Sequence, residues 1–418
     1  MPRASPTFVH LDADAFFVGV ECALNPALRG KKVAVGGGTR GIIASASYEA
    51  RACGVHTPMP TAQALRICPD LVLVGGGETH CGGMPRYIEF SRKLFDLCAE
   101  VTPLVERRSI DEGFMDLGPC GFADTAAIEA AMRGLQQRIA DKIGLSVSFG
   151  LAANKLLSAI SSKRNKPHGF TIVPPGTEEE FLAPLPVGVL PGVGPRTESL
   201  LKSNGIVRVG DIPRQPESLL AHILGNAWRE FRDMARGVDE SQLSLEHREA
   251  KSYSQQETFP RDIRDFSEIL RITKRMIDEL LPQIRADGKR ARTLTVKVRY
   301  PGMHDDVAGH SLPEAADLED AFYGLAETLL RQAWRRTRSP LRLVMVRFSG
   351  IETPSAQLEL FPEKAGDLER KRRLASVVDA LNQGIPRIMR GHGIGKPGSP
   401  RPEPGAPAPK ITPPPKTP

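Results

Sequence analysis

A chain of 418 residues with 40% hydrophobic content can bury sizeable cores and suggests about two to four domains. The formal net charge of +7 favours a polyanionic partner. The six cysteines lie in the first third of the chain with no CxxC spacing, which argues against a disulfide framework or a zinc ribbon. No apolar run approaches the ~18 residues that span a bilayer, and the N-terminus lacks a signal peptide's apolar segment, so the expectation is a soluble cytoplasmic protein.

In chain order, residues 7–12 read as a strand and 15–24 as a helix. Segments 31–38 and 41–47 read as strands joined by a glycine turn, 60–68 as a helix, and 70–77 as a strand running into glycines. A helix over 85–101 precedes strands "LVERRSI" and "GFMDLG", a long helix over 123–142, and a strand over 145–152. This alternation predicts an α/β or α+β core. Residues 177–240 are helical pieces punctuated by Pro and Gly, with a linker near 241–250. Two helices (266–287, 314–336) and strands "RTLTVKVRY" and "LRLVMVRFSG" predict a second small α+β domain. A further amphipathic helix is expected after residue 364, and the Pro/Gly-rich end beyond 391 reads as disordered.

Two acidic sites break this pattern. Asp12 and Asp14 interrupt "FVHLDADAFF", and a carboxylate costs several kcal/mol to desolvate without a partner. Asp111 and Glu112, in "SIDEGFMD", also lie between apolar runs. A lone Asp-Glu pair fits a solvated hairpin turn, but the apolar flanks weaken that reading. Three converging carboxylates repel unless hard cations neutralise them, and oxygen donors of this kind suit Mg²⁺. Two such ions ~4 Å apart clamp the attacking and leaving oxygens of a phosphoryl transfer. Asp14 reads instead as the N-cap of helix 15–24, leaving the N–H groups of Ala15, Phe16 and Phe17 as an anion site.

The motifs "HLDADAFFVGVE", "ASYEARACGV", "PMPTAQALRICPDL", "SIDEGFMD" and "KRNKPHGF" occur in the order and spacing of the Y-family DNA polymerases of the bacterial DinB type, and the resemblance covers about residues 7–361. The resemblance implies an α+β multidomain fold shaped as a right hand. Its palm would be 1–15 and 85–176, its fingers 16–84, and its thumb, with a helix-hairpin-helix, 177–242. A linker (243–250), a little finger (251–350) and a flexible tail (351–418) would follow. It implies that Asp12 and Asp111 hold two Mg²⁺ ions, that Glu112 is the third catalytic carboxylate, and that the Ala13 carbonyl is a further ligand.

The same resemblance makes Phe17 a steric gate, since a ring under the sugar leaves no room for the 2′-hydroxyl that marks RNA precursors. By sequence alone Phe17 also fits a core phenylalanine. Phe16 neighbours it in the pocket. Tyr48, Arg51 and Lys166 resemble triphosphate contacts. Ala44, in a strand that alternates Ile42, Ala44 and Ala46 on one face, would leave a roomy roof over the nascent base pair. A roomy pocket implies low-fidelity translesion synthesis, and no further acidic cluster resembles a proofreading exonuclease.

Gly192 and Gly194, in "LPGVGPRTESLL", fit a helix-hairpin-helix whose N–H groups face a DNA phosphate, or a plain glycine-rich connection. "RTLTVKVRY" alternates apolar Leu294, Val296, Val298 and Tyr300 with Thr293, Thr295, Lys297 and Arg299. Arg331, Arg335, Arg336, Arg338, Arg342 and Arg347 form a run with no acid between them. This fits a basic face on DNA phosphates or an ordinary solvated face. Gln357, Leu358, Leu360 and Phe361 resemble the bacterial sliding-clamp-binding peptide. The expected partners are primed template DNA, a dNTP and the sliding clamp, and the expected state is a monomer. His80 and Cys81 lie in a glycine-rich stretch read as a mobile loop rather than a metal site. The competing readings are a noncatalytic, clamp-tethered DNA-binding factor and a nucleotide cyclase with a similar two-metal palm.

Overall fold

In the computed structural model, residues 6–38, 40–75, 84–245, 249–335, 339–354 and 362–382 are described. The chain divides into two compact units, Met1–Arg248 and Glu249–Pro418.

In the first unit, β1 (Phe8–Ala13) is buried along almost its whole length, and the chain turns at Ala15 into α1 (Phe16–Leu24). The strands β2 (Val33–Gly36) and β3 (Ile42–Ala46) lead to α2 (Tyr48–Ala52), β4 (Met59–Pro60), α3 (Thr61–Ile67) and β5 (Val72–Val74). These make a small sheet of order β4-β3-β2-β5 over a core of Ile43, Ala46, Val55 and Met59. Next come α4 (Met84–Ala99), β6 (Val105–Arg107), β7 (Glu112–Asp116), α5 (Thr125–Ile143), β8 (Val147–Ala152), α6 (Lys155–Ser162) and β9 (Phe170–Ile172). They complete a five-stranded sheet of order β6-β7-β1-β8-β9.

β1 is the central strand because it is apolar enough to be covered on both faces. Val9, Leu11, Val147, Phe149 and Leu151 pack with Leu94 of α4 and Met132, Leu135 and Ile139 of α5. Each such side chain contributes about 1.5–3 kcal/mol on burial. α5 is bounded as its sequence directs: the Asp124 side chain accepts from Ala127 N (2.8 Å), and Gly144 ends the helix at φ 71°. α6 lies so close to β8 that a Cβ on Gly150 would stand 2.1 Å from the Ser158 carbonyl oxygen.

Four short helices follow, α7 (Glu178–Leu182), α8 (Pro195–Ser203), α9 (Glu217–Leu224) and α10 (Trp228–Ala235), around Leu182, Leu201, Leu220 and Phe231. The segment after α10, which includes the start of the stretch read from sequence as a linker (Ser244), is held to α6 and β6. Asn154 Nδ2 donates to Gly237 O (2.7 Å), Leu156 N to Asp239 (2.9 Å), and Ser244 N to Glu106 (2.8 Å).

The second unit runs β10 (Ser252–Ile263), α11 (Phe266–Ala286), β11 (Arg290–Arg299), β12 (Asp305–Ala316), α12 (Asp320–Ala333), β13 (Leu341–Glu352) and α13 (Pro362–Asn382). Its antiparallel sheet has the order β10-β13-β11-β12. Leu294, Val296 and Val298 face α11 and α12 over a core with Ile277, Leu281, Phe322 and Phe348. The sequence reading missed β10 and β12, and it began α12 inside β12. Part of the tail expected to be flexible is α13, where Ala375 is fully buried and Asp379 forms a two-point ion pair with Arg285 (2.7 and 2.8 Å). Leu374, Val377 and Leu381 of that helix are exposed. The clamp-like peptide 357–361 and the pair His80 and Cys81 lie outside the described residues.

Candidate active site

The backbone brings the two acidic segments together. Asp12 pairs with Glu112 across the antiparallel β1–β7 ladder, and Ala13 N donates to Asp111 O (2.9 Å). Asp12, Ala13, Asp111 and Glu112, about a hundred residues apart in sequence, thus share one end of two neighbouring strands. Their side chains point to different partners. Lys166 Nζ is 2.5 Å from Asp12 Oδ1 and 3.5 Å from Ala13 O. Asp111 accepts from the Ser109 hydroxyl, whose Oγ in turn accepts from Asp111 N and Glu112 N. Glu112 Oε2 lies 3.8 Å from both His10 Nε2 and Lys163 Nζ.

Among the described residues, no three His, Cys, Asp or Glu side chains converge closely enough to hold a metal ion. The donor chemistry nonetheless fits a hard divalent cation, with three carboxylates and one peptide carbonyl, all oxygen. Lys166, Ser109 and Lys163 draw the carboxylates apart through rotatable side chains, whereas the strand pairing that sets their origins is fixed. Burial raises the Asp12 carboxyl above its ordinary value even though Lys166 and Lys163 pull it down. Beneath it, burial and then the charges of Lys163, Lys166 and Arg108 lower His10 to about 3, so the imidazole is neutral. Its Nδ1 lies 2.8 Å from Ser162 Oγ. Lys166 was read as a triphosphate contact, but here it bonds to the acidic cluster.

Asp14 does not cap α1. Ala15 flanks the helix, in the left-handed region at φ 46°, and gives it no side-chain cap. The Asp14 carboxylate turns inward, where Ser146 Oγ (2.6 Å), Ser148 Oγ (2.9 Å) and His168 N (2.8 Å) donate to it. The sequence carries a signal for this: Ser146 and Ser148 alternate with Val147 and Phe149 in an otherwise apolar segment.

On the nucleotide side, Phe16 is buried and Phe17 half-buried. The Phe17 ring meets Tyr87 edge-on (centroids 4.7 Å apart), and Tyr87 is itself tied to Glu21 (2.5 Å). The Tyr48 hydroxyl lies 3.5 Å from Asp14 Oδ1, and burial followed by the Asp14 charge pushes it up to about 12. The Arg51 guanidinium sits 4.7 Å over the Tyr48 ring and donates to Ala46 O (3.0 Å). Ile42 and Ala44 are exposed on one face of β3, while Ala46 is buried.

Gly192 (φ 86°) and Gly194 shape the turn into α8, and Pro195 occupies its first position. In the second unit, Lys297 and Arg299 do lie on the face away from the helices, but they are not free. Asp305, opposite Arg299 on β12, takes its guanidinium in a two-point bond (2.5 and 2.8 Å) and lies 3.6 Å from Lys297 Nζ. Arg342 is not on that face: it shares the parity of buried Val344, Val346 and Phe348, whereas Arg347 points outward. Arg331 is paired with Glu327 (2.8 Å) and stacked on Phe266.

The chain matches known proteins over most of its length. Residues 11–163 match the impB/mucB/samB family, 175–206 the IMS family HHH motif, and 250–360 the impB/mucB/samB family C-terminal domain. A DNA polymerase IV of Opitutus terrae is 56% identical over 95% of this chain and 99% of its own length. One of Streptomyces coelicolor is 38% identical over 87% of this chain and 75% of its own length. Among solved structures, a Y-family DNA polymerase chimera of Dbh and Dpo4 aligns with a TM-score of 0.73 at 27% identity, covering 83% of this chain and 99% of that one. An insertion ternary complex of Dbh DNA polymerase aligns at 0.57 with the same identity and coverage.

The chain belongs to the Y-family of DNA polymerases. Within it the chain is of the DNA polymerase IV (DinB) type, a DNA-directed DNA polymerase of the translesion class. The reading as a noncatalytic DNA-binding factor is not favoured. No helix among the described residues is long and apolar enough to cross a membrane.

Proposed function

We propose that the chain extends a primer 3′-hydroxyl with dNTPs at the joined ends of β1 and β7, using Asp12, Asp111, Glu112 and the Ala13 carbonyl as ligands of two Mg²⁺ ions. The observation that carries this reading is the strand pairing that sets Asp12 opposite Glu112 and Ala13 beside Asp111. When bound, the ions neutralise the triphosphate and lower the pKa of the attacking hydroxyl. Glu112, whose side chain is about a third exposed, accepts the primer hydroxyl's proton. Lys166 leaves the carboxylates for the phosphate oxygens, a move its long side chain allows. Tyr48 and Arg51 contact the triphosphate from the small sheet, and Phe17, with Phe16 behind it, closes the space below the sugar. Small Ala44 leaves the roof open to a damaged base. Gly192 and Gly194 present amides to the duplex backbone, and the sheet face of Lys297, Arg299 and Arg347 faces DNA phosphates. The peptide Gln357, Leu358, Leu360 and Phe361 docks a monomeric enzyme on the cytoplasmic sliding clamp.

Primer extension tests this reading. Asp111→Ala should abolish extension while retaining binding to primed template, and activity of the wild type should follow added Mg²⁺. Extension by Asp111→Ala near the wild-type rate would refute the assignment.

A further inference from the structure

Asp14 has no part in the proposed chemistry, yet its carboxylate is the most heavily bonded buried anion of the site. Its side chain is 2% exposed. It joins three pieces of the first unit: the end of β1, the start of β8 through Ser148 and Ser146 just before it, and the loop after α6 through His168 N. Tyr48 Oη and Lys166 Nζ both stand 3.5 Å from its Oδ1. Ser148 Oγ also accepts from Gly169 N (3.0 Å), which fastens the same loop a second time. The backbone around this carboxylate is strained. Among the described residues, three non-glycines have positive φ, and two of them are Ala15, which follows Asp14, and His168 (φ 56°), which donates to it. Such conformations persist only where the surroundings over-determine them, and they gather at functional sites.

We propose that Asp14 is a positioning residue that preorganises the triphosphate contacts, holding Tyr48 of α2 and the Lys166 loop in register with the end of β1. The proposal rests on reading Tyr48 and Lys166 as triphosphate contacts. A carboxylate is required because every neighbour is a donor. An asparagine has one acceptor oxygen. The His168 N–H cannot turn away, so that oxygen faces it, and the amide NH₂ is directed at Tyr48 and Lys166.

Steady-state extension of a primed template by the full chain tests this. Asp14→Asn should raise the KM for dNTP about tenfold or more, because small misplacements of binding groups have large effects. The KM for DNA should stay unchanged. Combined with Tyr48→Phe, its effect should be less than multiplicative, since both act on one contact. A purely structural role would lower the melting temperature and active fraction but leave the dNTP KM of the folded enzyme alone. An unchanged KM in Asp14→Asn, with Tyr48→Phe and Lys166→Ala each raising it, overturns the proposal and leaves the triphosphate reading standing. An unchanged KM in Tyr48→Phe and Lys166→Ala overturns that reading itself. Should Asp14→Asn fail to fold, Ser146→Ala, which removes one donor from the same carboxylate, should raise the dNTP KM about threefold, and no rise there overturns the proposal.

Discussion

Removing the Glu106 side chain should unfold the first unit more readily than its place at the edge of the sheet suggests. Glu106 lies on β6, 4% exposed, and accepts from Lys155 Nζ at 2.6 Å and Ser244 N at 2.8 Å. Each bond to a charged group is worth about 1.5–3 kcal/mol. Arg108, at 3.6 Å and about half exposed, adds little. In Glu106→Ala the Lys155 ammonium, 12% exposed, keeps among the described residues Gln242 O (3.2 Å) and the Phe114 ring (4.9 Å). The expected loss is about 3–5 kcal/mol, the usual cost of leaving one half of a buried pair. Urea denaturation followed by circular dichroism measures it. Glu106→Gln with Lys155→Met should recover at least half, because neither ion is then left buried alone.

The pH dependence follows in sign. Burial alone would raise the Glu106 carboxyl, but Lys155, the Ser244 N–H and Arg108 outweigh it and hold the carboxyl below its ordinary value of 4.5. Its contribution is therefore complete above about pH 4.5 and declines as pH falls through the lower folded-state value. The difference between wild type and Glu106→Ala should shrink in acid. A loss below about 1 kcal/mol at pH 7, or one independent of pH, would refute this reasoning.

Gly150→Ala should abolish soluble expression or cost more than about 4 kcal/mol, since its Cβ would meet backbone atoms of α6 at 2.1 and 2.5 Å; a thermal melt decides. Phe17→Ala should raise ribonucleotide incorporation relative to deoxyribonucleotide about ten- to a hundredfold, measured as the ratio of kcat/KM, and an unchanged ratio removes Phe17 from the gate position. Asp305→Ala should release Arg299 and Lys297, tightening DNA binding and steepening its log–log salt slope by about one. Binding titrations at several salt concentrations would show this.

The acids of the site were legible because carboxylates are conspicuous inside apolar strands, and "HLDAD" and "SIDEG" both carry that mark. The central strands β1, β8, β11 and β13 were legible for the same reason, their side chains being buried on one or both faces. β10 and β12 were not. They are the two edges of their sheet, each carries a proline (Pro260, Pro313), and most of their side chains are half-buried or exposed. An edge strand needs little apolar patterning and tolerates proline, so it reads as loop. The parity of Arg342 and the capture of Arg299 by Asp305 followed from the register of strands whose pairing the sequence did not announce.

Residue type and order alone determined that this chain carries carboxylates inside apolar strands, an aromatic ring beside them in sequence and a basic excess, because those are properties of side chains. Tertiary structure decided which charge meets which. Asp12 faces Lys166, 154 residues away, and Asp14 faces two serines and a backbone amide rather than the helix after it. The physical reason is that a buried carboxylate takes whichever donors packing brings within about 3 Å, and strand register, not sequence proximity, selects them.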